Sequence, residues 1–192
     1  MDAINALLNR SSAKRTVEPA PSPEHLAVML RAAAQAPDHG RLQPWRFITV
    51  QGDARLELGR ICAEALAERD PSASPAALER EAQKLTRAPL VIVVACHPTD
   101  NGKVPIVEQL ISAGAAAQNI LVAAYELGYG AIWRTGAPAY DREVHAALGL
   151  GPADTIVGFV YVGTLEAPLP GRTQVDPAPF VTEWTAPIPA VH

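Results

Sequence analysis

The chain has 192 residues, 48% of them hydrophobic and 19% charged, which suits one domain with its own core and excludes the low-hydrophobicity, high-charge class that stays disordered. A formal net charge of −4 excludes a general nucleic-acid binder, because phosphate backbones recruit a marked Lys/Arg excess; any anion site must be local. Cys62 and Cys96 are too few for a disulfide framework and sit in no metal-ligand spacing, so no metal is expected and a reducing cytoplasm fits.

Met1-Asp2-Ala3 lacks the basic start of a secretory signal, and no uninterrupted apolar run reaches the ~18 residues of a membrane span, so no membrane partner is expected. Asp2 is placed to cap a first helix running to about residue 9. Pro21-Ser22-Pro23-Glu24 starts a second helix that ends before Pro37. Residues 46–50 alternate as a strand, and Gly52-Asp53 opens a helix to about residue 70. A Ser/Pro turn leads to a charged helix over 77–85. Residues 89–95 form a continuous apolar run, the pattern of a strand buried on both faces.

The longest helical pattern spans 105–127, with Ser112-Ala113-Gly114-Ala115-Ala116-Ala117 at its middle. Its small side chains and scattered polar residues suit a central buried helix or one at a subunit interface. Gly128 and Gly130 end it, a strand over 131–136 runs into a loop, a short helix follows over 141–148, and 155–163 is the last strand. Gly149-Leu150-Gly151-Pro152 imitates a dinucleotide fingerprint but follows a helix and opens a strand, so it reads as a turn. Residues 164–192 carry prolines at 168, 170, 177, 179, 187 and 189, which suits an extended arm able to cross a neighbouring subunit; Phe180 and Trp184 in it need burial. The pattern is α/β or α+β in one domain, 1–192.

No phosphate-binding Walker loop, zinc-protease HExxH or GxSxG elbow occurs. Three clusters remain. Arg10-Ser11-Ser12-Ala13-Lys14-Arg15 combines long cationic donors with short hydroxyls, as a phosphate monoester requires, although cations closing a helix also complement its dipole. Pro37-Asp38-His39-Gly40-Arg41-Leu42-Gln43-Pro44-Trp45 is a polar loop between rigid elements, readable as a site or as a capping turn with Trp45 as its anchor. Trp133-Arg134-Thr135-Gly136 offers an aromatic plane and a guanidinium to a flat heterocycle, or else a core tryptophan and a surface arginine.

The order of these clusters resembles the nitroreductase family of flavoproteins across nearly the whole chain. The shared blocks are the basic-serine motif at Arg10 to Lys14, Ala36-Pro37 through Gln43-Pro44-Trp45-Arg46-Phe47, and Lys103-Val104-Pro105. Ile132 to Gly136, Val157-Gly158-Phe159 and Asp176-Pro177-Ala178-Pro179-Phe180-Val181 complete them, in the form found in a short, compact branch of the family. The resemblance implies a three-layer α/β/α fold of the α+β class, with a mixed sheet flanked by helices, and a homodimer with FMN at the interface. Arg10, Ser11 and Ser12 would hold the phosphate and ribityl end, and Lys14 would lie beside the flavin N1/O2 edge. Gln35 and His39 would reach in from the partner subunit; Trp133, Arg134 and Thr135 would complete the pocket, with Arg172 as a further phosphate contact. Ser11 stands where close relatives carry an arginine, Gln35 replaces an arginine, and Asp38-His39-Gly40-Arg41 replaces Ser-Ser-x-Asn.

The implied reaction has two steps: NAD(P)H delivers hydride to flavin N5, and a nitroaromatic, quinone or similar electron-poor acceptor then takes the electrons, with no side chain as nucleophile. The alternatives are a flavin-binding or storage protein, or dehalogenation or flavin cleavage on the same scaffold.

Overall fold

In the computed structural model, residues 3–169 and 171–185 are described; the Asp2 cap and the prolines at 170, 187 and 189 lie outside them. Helix α1 spans Ala3–Asn9. Helix α2, Pro23–Ala33, begins at Ser22, whose hydroxyl accepts from the His25 amide at 3.2 Å while Pro23 fills a first-turn position that needs no N–H donor. Strand β1, Trp45–Gln51, leads to α3, Ala54–Arg69. Helix α4, Pro75–Ala82, starts two residues ahead of the expected helix because Ser74 caps it through the Ala77 amide; a 3-10 turn over Gln83–Arg87 continues its path. Then come β2, Leu90–Cys96, α5, Ile106–Glu126, and β3, Gly130–Arg134. Helix α6, Arg142–Ala147, is capped by the Asp141 carboxylate, and β4 spans Thr155–Gly163.

The strands form one sheet in the order β1-β2-β4-β3, and every named pair is antiparallel. A parallel element enters through the isolated bridge between Ser12 and Ala131. All of β2 is buried, so its unbroken apolar run reflects helical cover on both faces. One face of the sheet, with Leu90, Ile92, Val94 and Val162, packs on Met29 of α2 and Ala113, Ala116 and Ile120 of α5. Val91, Val93, Phe159 and Tyr161 on the opposite face pack on Leu58 and Cys62 of α3 and Val144 of α6. Helices, sheet and helices thus make the three expected layers.

Helix α5 is the one helix among the described residues long and apolar enough to cross a membrane by length and composition. Two of its polar groups are spent inside the fold: Gln109 donates to Thr99 O at 2.8 Å, and Asn119 donates to Ala32 O at 2.9 Å. The alanine stripe is the surface on which the sheet and α2 close in, which matches the central-helix reading. Residues 171–185 are exposed throughout and contain one 3-10 turn, Ala178–Phe180. Phe180 is 78% and Trp184 70% exposed, so the burial expected for them is not found within one chain.

Candidate functional site

Helix α1 ends at Asn9 with no basic residue in its last turn, so Lys14 and Arg15 stand beyond it and are not its dipole complement. The segment after the helix is clipped to the outer edge of β3: Ser12 bridges Ala131, and the Ala13 amide donates to Ala131 O at 3.0 Å. Ala13 and Thr16 are buried, the Thr16 amide donates to Arg87 O at 3.1 Å, and Lys14 and Arg15 project from the turn between them.

Arg10 is half-buried, and its Nε lies out of solvent without a hydrogen-bond partner. Arg172, from the arm, donates to Arg10 O at 3.4 Å. Burial first, and the Arg172 charge second, hold the Arg10 guanidinium below its usual pKa. Neither arginine forms a salt bridge among the described residues. Two neighbouring guanidiniums, one partly desolvated, make an arrangement that an anion completes. Arg10 and Ser11 open onto a cavity of about 380 Å³ whose walls include Leu121, Tyr125, Tyr129 and Leu169.

Three residues along β3, about 10 Å at the strand rise, is Arg134. The pleat puts Trp133 and Arg134 on opposite faces. Trp133 packs against the α5 side of the core and donates its indole N–H to Val157 O at 3.2 Å. That position exists because residue 158 is glycine: a Cβ there would stand 2.0 Å from Trp133 Nε1. Arg134 instead lines a second cavity, about 150 Å³, with Thr135, Glu81, Lys84, Arg87 and Tyr161. Lys84 pairs with one Glu81 oxygen, while Glu81 Oε1 and Arg134 Nε are buried without partners. Burial is the main cause pushing the Tyr161 hydroxyl and the adjoining Cys62 thiol each up to about 12.

Sequence reasoning missed Glu81, Lys84, Arg87 and Tyr161. Glu81 and Lys84 are spaced like an ordinary surface pair on a charged helix, and Tyr161 sits in an apolar strand; only the folded chain, with α4 packed on α3, brings them to one cavity. Gln35 and His39 lie elsewhere. Gln35 is exposed beyond the end of α2, and His39 Nδ1 meets Glu108 Oε2 at 2.6 Å near the start of α5. Leu121, which lines the Arg10 cavity, is thirteen residues further along α5 from Glu108, about 20 Å at the helical rise. One chain therefore does not bring His39 to the Arg10 cluster.

Solved structures place this architecture in a known class. A Nitroreductase-like family protein from Bacillus cereus superposes with a TM-score of 0.83 at 21% identity, covering 97% of each chain. The FMN and NADPH-dependent nitroreductase NfnB from Sphigopyxis sp. strain HMH superposes at 0.73 with 20% identity, over 97% of this chain and 100% of that one. The fold is that of the nitroreductases. The Nitroreductase family pattern matches residues 7–164. The Escherichia coli (strain K12) protein named "Putative NAD(P)H nitroreductase YdjA" is 41% identical over 189 residues, 95% of this chain and 99% of that protein. The chain belongs to the nitroreductase family, a family of oxidoreductases.

Proposed function

We propose that the chain is an FMN-dependent NAD(P)H oxidoreductase that works in the cytoplasm as a homodimer and reduces nitroaromatics, quinones or similar electron-poor acceptors. The observation that carries this reading is the pairing of Arg10 and Arg172, two guanidiniums without a carboxylate partner among the described residues, beside Ser11 and Ser12 at the edge of β3. A phosphate monoester offers that cluster its missing charge and several strong acceptors.

A second cavity, separate from the Arg10 cavity and on the α3 side of the sheet, also offers partners to a flavin ring. An isoalloxazine ring carries an imide edge, in which an N–H donor stands between two carbonyl acceptors. Glu81 Oε1 and Arg134 Nε are an acceptor and a donor buried without partners beside the same cavity, with Lys84 as a further cation. When bound, FMN supplies the redox chemistry, taking electrons from NAD(P)H and giving them to the acceptor. The chain holds and orients it: Arg10, Arg172, Ser11 and Ser12 at the phosphate and ribityl end, Lys14 as a cation beside the ring, Arg134 and Thr135 at the end of β3, and Trp133 as a packed wall behind the strand. No side chain is required as a nucleophile.

The second copy supplies what one chain lacks. Gln35 and His39, remote from Arg10 within the chain, would complete the site of the partner, and the exposed Phe180 and Trp184 would be covered as residues 164–192 cross it. The chain 1–192 would act as one domain with that arm.

The visible spectrum of purified protein tests the reading. Flavin absorption is expected, or appears on adding FMN, and bleaches with NADH or NADPH. In Arg10→Glu, FMN retention is lost while circular dichroism and the dimer remain; a colourless protein that takes up no FMN overturns the reading, and unchanged flavin content in the variant moves the phosphate site elsewhere.

A further inference from the structure

The loop that bears His39 is exposed yet tied down at each turn. Pro37 O accepts from Ser112 Oγ at 2.7 Å, and Asp38 Oδ2 accepts from the Gln43 amide at 2.8 Å. Gly40 backs onto Val104 so closely that a Cβ would stand 3.2 Å from its Cγ2. His39 Nδ1 lies 2.6 Å from Glu108 Oε2. Within this frame Arg41 and Gln43, neither of them glycine, hold φ values of 55° and 50°, a conformation that side chains adopt only when the surroundings dictate it. Ser112 and Glu108 both come from the first turns of α5. Beside Glu108 on that helix, Val107 and Ile111 are 59% and 66% exposed, so the pair sits at an apolar surface of the kind a second copy covers.

We infer that Glu108 is a positioning residue: it holds the His39 ring through Nδ1 and so presents Nε2 to the flavin of a second copy. A carboxylate only accepts, so the shared hydrogen belongs to Nδ1. In the neutral ring Nε2 is then left as an acceptor facing outward, suited to a hydroxyl or N–H donor of a flavin. A histidine without the carboxylate is free to carry its hydrogen on either nitrogen and to turn about its own bonds, so the loop would meet the flavin in several arrangements. The inference rests on the reading that His39 completes a flavin site across the dimer.

Two measurements test it. Nitrogen-15 NMR of the imidazoles, with His39 assigned by its loss in His39→Gln, should show the Nδ1–H tautomer of the neutral ring in the parent protein and in Glu108→Gln, which keeps an acceptor oxygen. In Glu108→Ala that preference should disappear. FMN titration by fluorescence should show the dissociation constant rising on the order of tenfold in Glu108→Ala, the worth of one good hydrogen bond. Combining Glu108→Ala with His39→Gln should add little further, because the two residues act as one unit. An unchanged tautomer in Glu108→Ala, unchanged FMN affinity, or additive losses in the double variant each overturn the inference. Glu108 is at the surface, and equal thermal midpoints separate these outcomes from misfolding. Failure of the parent protein to bind FMN sinks the functional reading instead, and the tautomer remains measurable without flavin.

Discussion

Gly158 decides where the Trp133 indole can lie. Adding one methyl group there would put a carbon 2.0 Å from Trp133 Nε1 and 3.0 Å from Arg134 O, so Gly158→Ala must displace the ring and break its bond to Val157 O. The expected cost is about 2–4 kcal/mol, combining an overpacked core with a lost hydrogen bond, read as a lower urea midpoint and a changed tryptophan emission. A second residue-scale effect concerns pH. Burial, the leading cause, raises Cys62 to about 12 and Cys96 to about 11, from an ordinary thiol value of 9.0. An unfolded chain loses these protons first, so the stability they contribute is whole below pH 9 and is lost as pH climbs through the folded values. Alkaline unfolding curves should therefore steepen above pH 9, and Cys62→Ser should alter that limb more than the neutral plateau. The residue motifs were legible where chemistry repeats locally, as at Arg10 to Lys14. Glu81 and Arg134 were not linked, because two groups left without partners become visible only when the chain brings α4 and β3 to one cavity.

At the element scale, α3 and α4 approach at Gly59, where a Cβ would stand 2.0 Å from Ala82 O. Because backbone must yield, Gly59→Ala should cost about 1–3 kcal/mol. It should also weaken FMN binding, since Glu81 and the turn bearing Lys84 follow that helix; urea denaturation and flavin titration on the same variant check both. The boundaries of β4 and most helices follow from local signals: a serine cap, a proline in the first turn, a glycine at the end. Strand direction does not. The buried run of β2 is a pattern common in parallel sheets, yet its neighbours β1 and β4 both run against it. What the run reports is cover on two faces, and an antiparallel strand between two helical layers receives the same cover.

At the scale of the whole molecule, Arg10 and His39 lie far apart on one copy, and the arm carries uncovered aromatic rings. If two copies complete each flavin site, flavin binding and dimerisation are linked by mass action. Diluting the holoprotein should release FMN as dimers dissociate, and added FMN should raise the dimer fraction in sedimentation velocity. A flavin affinity that stays constant across the monomer–dimer transition would sink the shared-site reading. The arm shows the limit of single-chain patterning: the aromatic residues of 171–185 signal a burial that the described residues of one chain do not supply.

One further consequence belongs to the clip between Ser12 and Ala131. Strand β3 ends the sheet, and an open strand edge is a template on which other chains can add and aggregate. The amide of Ala13 occupies Ala131 O at that edge, so the segment proposed to grip the cofactor is also what keeps part of the sheet from recruiting strangers. Under that proposal Arg10 to Thr16 carries both the chemistry and the protection of the edge, and a variant loses the first while keeping the second as long as its backbone stays seated.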